Sequence, residues 1–268
     1  MKTSVSVALT AAAAAAGVGL VALGVLPSAS AADRHDRVCG KTTTLFCEDF
    51  ERLPNGGASS ANWGIDSRHG TLTVEPASKG AAGQKVLHVH TEGNGKAFLV
   101  ADVAAPGNSF YGRVRVKVKA FPTAPDWAHY TLVEASGQGA GVVRPIGGQY
   151  APTEPGQFWG VGSDGGPTGD WTNWRTSSAP TSVAGNWQCL EWRFDASDNA
   201  VNIWIDGQAQ PDLSVSTTNH GGNPVDFVFP TFDTVRVGWQ LYQGSPTPSS
   251  YDLWFDDVVF SSTKLGCR

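Results

Sequence analysis

The sequence lacks the short motifs that identify several common enzyme classes. It has no GxSxG segment, so an α/β-hydrolase with a Ser-His-Asp triad is not expected. It has no CxxC pair with the spacing of a zinc site. The ExDxxE arrangement of laminarinase-type hydrolases is also missing, because the spacing in Glu48-Asp-Phe-Glu51 is wrong for it. A glycoside hydrolase with two carboxylates on one strand face is therefore disfavoured.

Positive charge is scarce as well. The chain has 19 Lys and Arg residues against 24 Asp and Glu residues, a formal net charge of −5 at pH 7. Because nucleic-acid binding relies on basic residues that neutralise phosphates, no nucleic-acid partner is expected. The segment 144–150 is interpreted as a Gly-rich turn, and it lacks the helix that a phosphate-binding loop needs. Nucleotide binding is not expected either.

Helical periodicity is nearly absent, and short runs that alternate apolar and polar residues take its place. The 32 Gly and 16 Pro residues punctuate the chain between these runs, a pattern typical of a β-sandwich or jelly roll. The predicted strands cover residues 71–75, 85–91, 97–103, 110–119, 127–134, 157–162, 187–194, 201–206, 234–242 and 252–260. No linker or shift in composition divides the chain, so we predict one all-β domain over residues 32–268.

The N-terminus has the features of a secretion signal. Lys2 precedes an apolar, Ala-rich run over residues 5–26, and Ala29-Ser30-Ala31 offers small residues for cleavage. A membrane anchor is the alternative, because the run is long enough to span a bilayer. We interpret residues 1–31 as a signal peptide. The expected product is a secreted, extracellular monomer that has no membrane association after cleavage.

The most informative segment is a predicted strand near the C-terminus. Val237, Trp239 and Leu241 lie on one side of it, and Gln240 and Tyr242 lie on the other. Such a strand packs a core with one face and offers polar groups with the other, as in a sugar-binding groove. A tyrosine on that open face suits proton transfer on a sugar ring.

Two further strands carry side chains that could serve the same groove. Arg113 and Arg115 alternate with valines, so they form either a solvated outer face or a basic stripe that neutralises a substrate carboxylate. On another strand His129 shares a face with Trp127 and Thr131. His129 is either a structural histidine or a general base.

Tryptophans are concentrated around one long segment rich in Gly, Ser and Thr. Trp171 and Trp174 lie within residues 163–185, and Trp159 precedes them. Exposed rings there would stack on sugars. Packing in the core is the alternative for each of them.

Two acidic clusters lie near the two ends of the predicted domain. The first is Glu48-Asp49-Phe50-Glu51, and the second is Asp256-Asp257. Because the first and last strands of a sandwich often pair, the clusters would meet. Carboxylates and backbone carbonyls there could bind Ca²⁺, and the alternative is a pair of solvated acidic turns.

Several short motifs occur in the order typical of one secreted family. They are Phe46-Cys-Glu48-Asp49-Phe50-Glu51, Phe110-Tyr-Gly-Arg113, His129-Tyr-Thr131, Ile146-Gly-Gly-Gln149, Trp187-Gln-Cys189-Leu-Glu191, Val237-Gly-Trp239-Gln-Leu-Tyr242, Trp254-Phe-Asp256-Asp257 and Leu265-Gly-Cys267. Through them the chain resembles the family of cellulose-induced secreted fungal proteins and their bacterial relatives. That family is similar in turn to glucuronan lyases and more distantly to alginate lyases. The resemblance covers nearly the whole chain beyond residue 31.

The resemblance implies a concanavalin-like β-jelly-roll sandwich with a concave cleft, polyuronate-lyase-like groups in the cleft, and a bound structural Ca²⁺. Its implied ligands are Glu48, Asp256 or Asp257, and a carbonyl of the turn from Lys79 to Gln84. The family's Ser and Asn near the calcium are replaced in this turn. The metal would therefore depend on backbone carbonyls, or be lost.

All four cysteines lie in the part of the chain that would be exported. An even number in an oxidising compartment predicts two disulfides. Together with the Trp-Gln-Cys and Gly-Cys motifs of the family, this predicts the pairs Cys39–Cys47 and Cys189–Cys267.

These observations favour a secreted lyase that cleaves a uronic-acid polysaccharide by β-elimination. In such an enzyme Arg113 and Gln149 would stabilise the substrate carboxylate, His129 or Tyr242 would be the base, and Tyr242 could also be the acid. The other residues expected to bind the substrate are Arg115, Gln240, Arg144, Trp174 and Trp171. A non-catalytic carbohydrate-binding protein is the main alternative, and a glycoside hydrolase is a less favoured one.

Overall fold

The computed structural model describes residue 35 and residues 39–123, 127–139, 141–151, 158–164, 182–242, 245 and 247–267. The strands are β1 (Thr44–Glu48), β2 (Gly56–Gly57), β3 (Gly64–Pro76), β4 (Lys85–Asp102), β5 (Phe110–Val118), β6 (Ala128–Gln138), β7 (Val142–Tyr150), β8 (Phe158–Asp164), β9 (Trp187–Asp195), β10 (Ala200–Ile205), β11 (Gln208–Ala209), β12 (Thr231–Tyr242) and β13 (Ser250–Ser261). Within the described residues, no helix has the length and apolar character needed to cross a membrane. The predicted signal peptide lies outside them.

The strands form an antiparallel sheet in which β4 connects two halves. The strand order is β11-β10-β9-β5-β13-β4-β12-β6-β7-β8, with β1 beside β13, and with β3 and then β2 beyond β4. Residues 87–92 of β4 pair with β13, whereas residues 96–102 pair with β12. We call β13, β5, β9, β10 and β11 sheet A, and β12, β6, β7 and β8 sheet B.

Glycines allow β4 to change partners between these two segments. Gly93 has a φ of +54°, a conformation that side chains disfavour. A Cβ on Gly95 would come within 2.5 Å of the carbonyl oxygen of His69, so only glycine fits there. The strand therefore passes from sheet A to sheet B without a break.

Aromatic side chains from both sheets meet in one core. The ring of Phe232 on β12 lies 4.6 Å from Phe194 on β9 and 6.0 Å from Phe110 on β5, between centroids. Trp239 on β12 lies 5.3 Å from Tyr251 on β13. These contacts cross from sheet B to sheet A, so the sheets face each other as a jelly-roll sandwich. The predicted fold class is confirmed.

Strand β12 presents the two faces that its sequence predicts. Val237, Trp239 and Leu241 are buried in the core, and Gln240 and Tyr242 are partly exposed on the opposite face. This second face of sheet B is called the polar face below.

Two of the differences between the predicted and the observed strands lie in β4 and β7. Residues 85–91 and 97–103 were expected as two strands, but they belong to the continuous strand β4. Segment 144–150 is not a turn but most of β7. The glycines of this strand interrupt the alternation of apolar and polar residues, so the sequence pattern did not indicate a strand. At Gly147 a Cβ would lie 2.8 Å from the Tyr130 carbonyl oxygen. Glycine is used here because two backbones approach closely.

Both predicted disulfides are present, and the second fixes the C-terminal segment to sheet A. Cys39 is bonded to Cys47, and Cys189 to Cys267. Next to the second bond, the buried carboxylate of Glu191 accepts hydrogen bonds from the backbone N–H groups of Leu265 and Gly266, at 2.8 and 2.9 Å. The last residues therefore lie against β9.

The position of Trp239 generates a stability prediction. Its ring is fully buried and stacks on Tyr130 with 5.0 Å between centroids. Trp239→Ala should lower the free energy of unfolding by roughly 3–5 kcal/mol, measured by chemical denaturation. The Trp127 side chain is 39% exposed, so Trp127→Ala is the control. It should lower the free energy of unfolding by less than about 1 kcal/mol. Equal losses in the two variants would contradict the assigned core face.

Candidate functional site

Three of the predicted catalytic residues form a row across sheet B. Tyr242 on β12 is opposite His129 on β6, and His129 is opposite Gln149 on β7. Directly opposite residues in antiparallel strands point to the same face. Gln240, another predicted residue, is opposite Thr131 in the neighbouring row. The structure thus brings these groups together on the polar face.

The phenol of Tyr242 lies within a small polar network. Its hydroxyl is 3.4 Å from the Thr131 Oγ1, and the Arg144 guanidinium lies 5.9 Å from its ring centroid. Arg144 Nη2 in turn donates a hydrogen bond to Asp164 Oδ1 at 3.0 Å. Burial raises the pKa of Tyr242, although the Thr131 hydroxyl and the Arg144 charge oppose the shift. The phenol therefore keeps its proton at neutral pH.

A small cavity of about 20 Å³ lies beside these residues. It is lined by His129, Tyr130, Arg144, Gly147, Gly148, Gln149, Gly160, Val161 and Gly162. Gly147 and Gly160 are opposite one another on β7 and β8, and Arg144 is opposite Gly162. Because these glycines have no side chains, the surface next to His129 and Arg144 is formed largely by backbone.

Charged residues that the sequence analysis did not identify extend the site along the polar face. Arg236 lies 3.4 Å from Glu134 and 3.6 Å from Asp66, measured between nitrogen and carboxylate oxygen. Lys96 Nζ lies 2.7 Å from an Asp66 oxygen. Burial raises the pKa of Glu134, with the Arg236 charge the strongest opposing influence.

Bulges explain why Glu134 was missed. Strict alternation from Thr131 predicts that Val133 faces the site and Glu134 faces the core. In the pairing of β6 with β7, the register shifts on both sides of Val133. As a result, Val133 is buried and Glu134 faces the site beside Arg236. A bulge adds one residue to a strand and reverses the pattern beyond it. Nothing in the local composition marks this position.

The structure does not bring Arg113 and Arg115 to the polar face. Both lie on β5 in sheet A, where Val114 between them points into the core. Arg113 Nη1 donates a hydrogen bond to the Gly266 carbonyl at 3.0 Å, and Arg115 is opposite Asp256 on β13. The alternative of an outer face is thus correct, and Arg144 is the arginine beside Tyr242.

The tryptophans considered for sugar stacking differ in where they lie in the structure. Trp171 and Trp174 lie outside the described residues. Trp159 is buried and packs against Tyr130, with 6.2 Å between ring centroids, so it belongs to the core. Trp127, at the start of β6, keeps 39% of its surface exposed.

Comparison with known proteins identifies the family. The family model of the Cip1-like core domain, described as polysaccharide-lyase-like, matches residues 49–263. The chain belongs to this Cip1-like family. The predicted resemblance is confirmed, and the protein is a member of a carbohydrate-active family. A search of curated protein sequences finds no significant match.

Solved structures share the fold of this Cip1-like chain. "Cellulose induced protein, Cip1" is similar, with 21% identity and a TM-score of 0.60, covering 83% of this chain and 100% of that one. A "Glycosyl hydrolase family protein from Mycobacterium fortuitum" has 12% identity and a TM-score of 0.50, covering 81% and 99%. At these identities the likeness shows the fold alone.

The two acidic clusters meet in this Cip1-like fold as the sequence predicts. Strand β1 pairs with β13, and Glu48 is opposite Val258, next to Asp256 and Asp257. All five carboxylates of the clusters are buried, those of Glu48, Asp49, Glu51, Asp256 and Asp257. Buried carboxylates need compensating charge or hydrogen bonds.

The first cluster reaches the turn from Lys79 to Gln84 through Glu51. Glu51 Oε1 accepts a hydrogen bond from the Gln84 N–H at 2.6 Å, and Asp256 Oδ2 accepts one from the Gly83 N–H at 3.0 Å. Both oxygens of Glu48 are already hydrogen-bonded, to the Phe50 N–H and the Trp63 Nε1–H at 2.9 Å each. Glu51 is therefore better placed than Glu48 beside the turn.

The raised pKa of Tyr242 generates a spectroscopic prediction. Ionisation of a tyrosine changes its ultraviolet absorbance, and the contribution of Tyr242 is the wild-type signal minus that of Tyr242→Phe. This contribution should appear only above about pH 10, the ordinary pKa of a tyrosine. Spectrophotometric titration measures it, and circular dichroism shows that the fold persists over the same range. A difference already complete at lower pH would contradict the buried, protonated phenol.

Proposed function

We propose that this Cip1-like protein is a polysaccharide lyase that cleaves a uronic-acid polymer by β-elimination. The observation that carries the proposal is the row formed by Tyr242, His129 and Gln149, with Arg144 beside it on a glycine-lined cavity. A base, an acid and donors for a carboxylate are the groups that this reaction requires.

Each group in the row has a defined task in the proposed reaction. Arg144 and Gln149 hold the uronate carboxylate and stabilise the negative charge that develops as C5 loses its proton. His129 accepts that proton. The C5–H electrons form the C4–C5 double bond, and the C4–O bond breaks. Tyr242 then donates its proton to the departing glycosidic oxygen.

The environment of Tyr242 supports the assignment of acid and base. A phenol with a raised pKa is a poor source of tyrosinate at neutral pH, so it is better suited to donate a proton. The neighbouring imidazole of His129 is then the base. This assignment chooses between the two alternatives that the sequence leaves open.

The two disulfides support an exported protein, because such bonds persist in oxidising compartments. We therefore propose that the substrate is an extracellular polysaccharide. Membership of the polysaccharide-lyase-like family supports the same substrate class.

The central catalytic prediction concerns the Tyr242 hydroxyl. Tyr242→Phe should lower kcat on a polyuronate by roughly 10²-fold or more, because the proton donor is lost. Affinity should change little, since the ring remains. Turnover is measured by the ultraviolet absorbance of the unsaturated chain ends, and affinity by calorimetry. Tyr111→Phe, on the outer face of sheet A, is the matched control and should keep full turnover.

The same assay separates the alternatives. A protein that binds polyuronates but forms no unsaturated ends would be a non-catalytic carbohydrate-binding protein. New reducing ends without unsaturation would indicate hydrolysis, for which Glu134 and Asp66 on the polar face supply carboxylates. Either result would contradict the lyase proposal.

We also propose a structural Ca²⁺ where β1 meets β13. The donor set fits such an ion, because the buried carboxylates of Glu51 and Asp256 reach adjacent residues of one turn, Gln84 and Gly83. Asp256 and Glu51 would hold it, with a carbonyl of the turn from Lys79 to Gln84, since calcium prefers oxygen ligands. Its charge would offset the repulsion among these carboxylates.

Removing calcium should therefore lower stability. Excess chelator added to calcium-loaded protein should lower the Tm, because an ion that binds only the folded state stabilises it. Asp256→Asn should reduce this shift, whereas Asp226→Asn, an exposed control, should leave it intact. Scanning calorimetry measures both. An unchanged melting curve in chelator would count against the site.

A further inference from the structure

One row of residues on the polar face crosses sheet B and continues onto β4 and β3. Each member is directly opposite the next across neighbouring strands from β3 to β8. The row is Arg68, Lys96, Gln240, Thr131, Gly147 and Gly160. Thr131 contacts the hydroxyl of Tyr242, so this row runs beside the proposed catalytic groups.

The two ends of the row differ in charge. On β7 and β8 it ends in glycines that line the cavity. On β3 and β4 it ends in two cations, Arg68 and Lys96. Lys96 is held by Asp66 at 2.7 Å, while Arg68 is exposed and forms no ion pair with any residue that the structure describes.

The charge at the cationic end is only partly balanced. Asp66 is shared, because it also lies 3.6 Å from Arg236. Arg236 has a second partner in Glu134, and Lys96 is opposite Gln240 of the polar face. Three cations thus face two carboxylates, which leaves an excess of positive charge on a chain with net charge −5.

The spacing of the strands sets how far these cations lie from the reacting sugar. Neighbouring strands are about 4.8 Å apart, so Lys96 lies about 10 Å and Arg68 about 14 Å from Thr131 along the row. A pyranose unit in a chain has a length similar to one strand spacing. A polymer that crosses the strands would therefore place later units over Lys96 and Arg68.

We propose that Lys96 and Arg68 form a distal carboxylate-binding subsite, so that the protein selects a run of consecutive uronic acids over an isolated one. The inference rests on the proposed function and adds the direction and the length of the recognised segment. The chain extends from the cavity towards β3. Arg68 and Lys96 bind the carboxylates of units two or three positions away through charge-assisted hydrogen bonds.

The test compares short and long oligouronates on variants without the distal charges. Arg68→Gln and Lys96→Gln are combined in a Tyr242→Phe background, which slows turnover during the measurement. The affinity for a hexauronate should fall about tenfold or more, because two charge-assisted contacts are lost. The affinity for a diuronate, which is too short to extend from Tyr242 to Arg68, should not change. The salt dependence of hexauronate binding should become weaker.

A control removes the same charge elsewhere. Lys41→Gln with Lys264→Gln, two exposed positions outside the row, should leave hexauronate affinity unchanged. Equal loss in both double variants, or no loss with Arg68→Gln and Lys96→Gln, would overturn the subsite while leaving the lyase proposal intact. Failure of the wild type to cleave, and of the Tyr242→Phe protein to bind, any polyuronate would overturn both. Circular dichroism and Tm confirm that each variant folds.

Discussion

The passage of β4 from one sheet to the other is the constraint on which the site depends. Residues 87–92 pair with β13 and residues 96–102 pair with β12, so a single strand fixes the position of both sheets. Gly93 and Gly95 permit this path. Once β12 is set in this way, its register places Tyr242 opposite His129, and that of β6 places His129 opposite Gln149. The geometry of the polar face follows from backbone pairing.

Burial then determines which side chain would donate a proton in the proposed reaction. The core holds Trp239 on one side of β12, which leaves Tyr242 half-buried on the other. This burial keeps the phenol protonated, and the Arg144 charge beside its ring limits the shift without reversing it. A protonated tyrosine next to His129 would supply an acid and a base for the proposed reaction. The proposed calcium lies elsewhere, where β1 meets β13.

The face occupied by each side chain could be predicted from the sequence where the strands are regular. It could not be predicted at bulges, and the sequence did not show which sheet a strand joins. On β12 the alternation of Trp239 and Tyr242 is uninterrupted, so both faces were assigned correctly. At Glu134 a bulge reverses the pattern. On β5 the alternation showed that Arg113 points away from the core, but alternation cannot tell which of two sheets a strand joins. The disulfides were predictable because the four cysteines are even in number and the family motifs indicate Cys189 and Cys267 as one pair.

The central claim is that Arg144 and Gln149 hold a uronate carboxylate while His129 and Tyr242 act on the same sugar. A crystal structure of the Tyr242→Phe protein with a bound hexauronate tests this most directly. We expect one carboxylate at Arg144 and Gln149, the adjacent C5 hydrogen directed at the His129 imidazole, and the chain continuing over Lys96 towards Arg68. A chain bound to the outer face of sheet A, or with its carboxylates turned away from Arg144, would contradict the account.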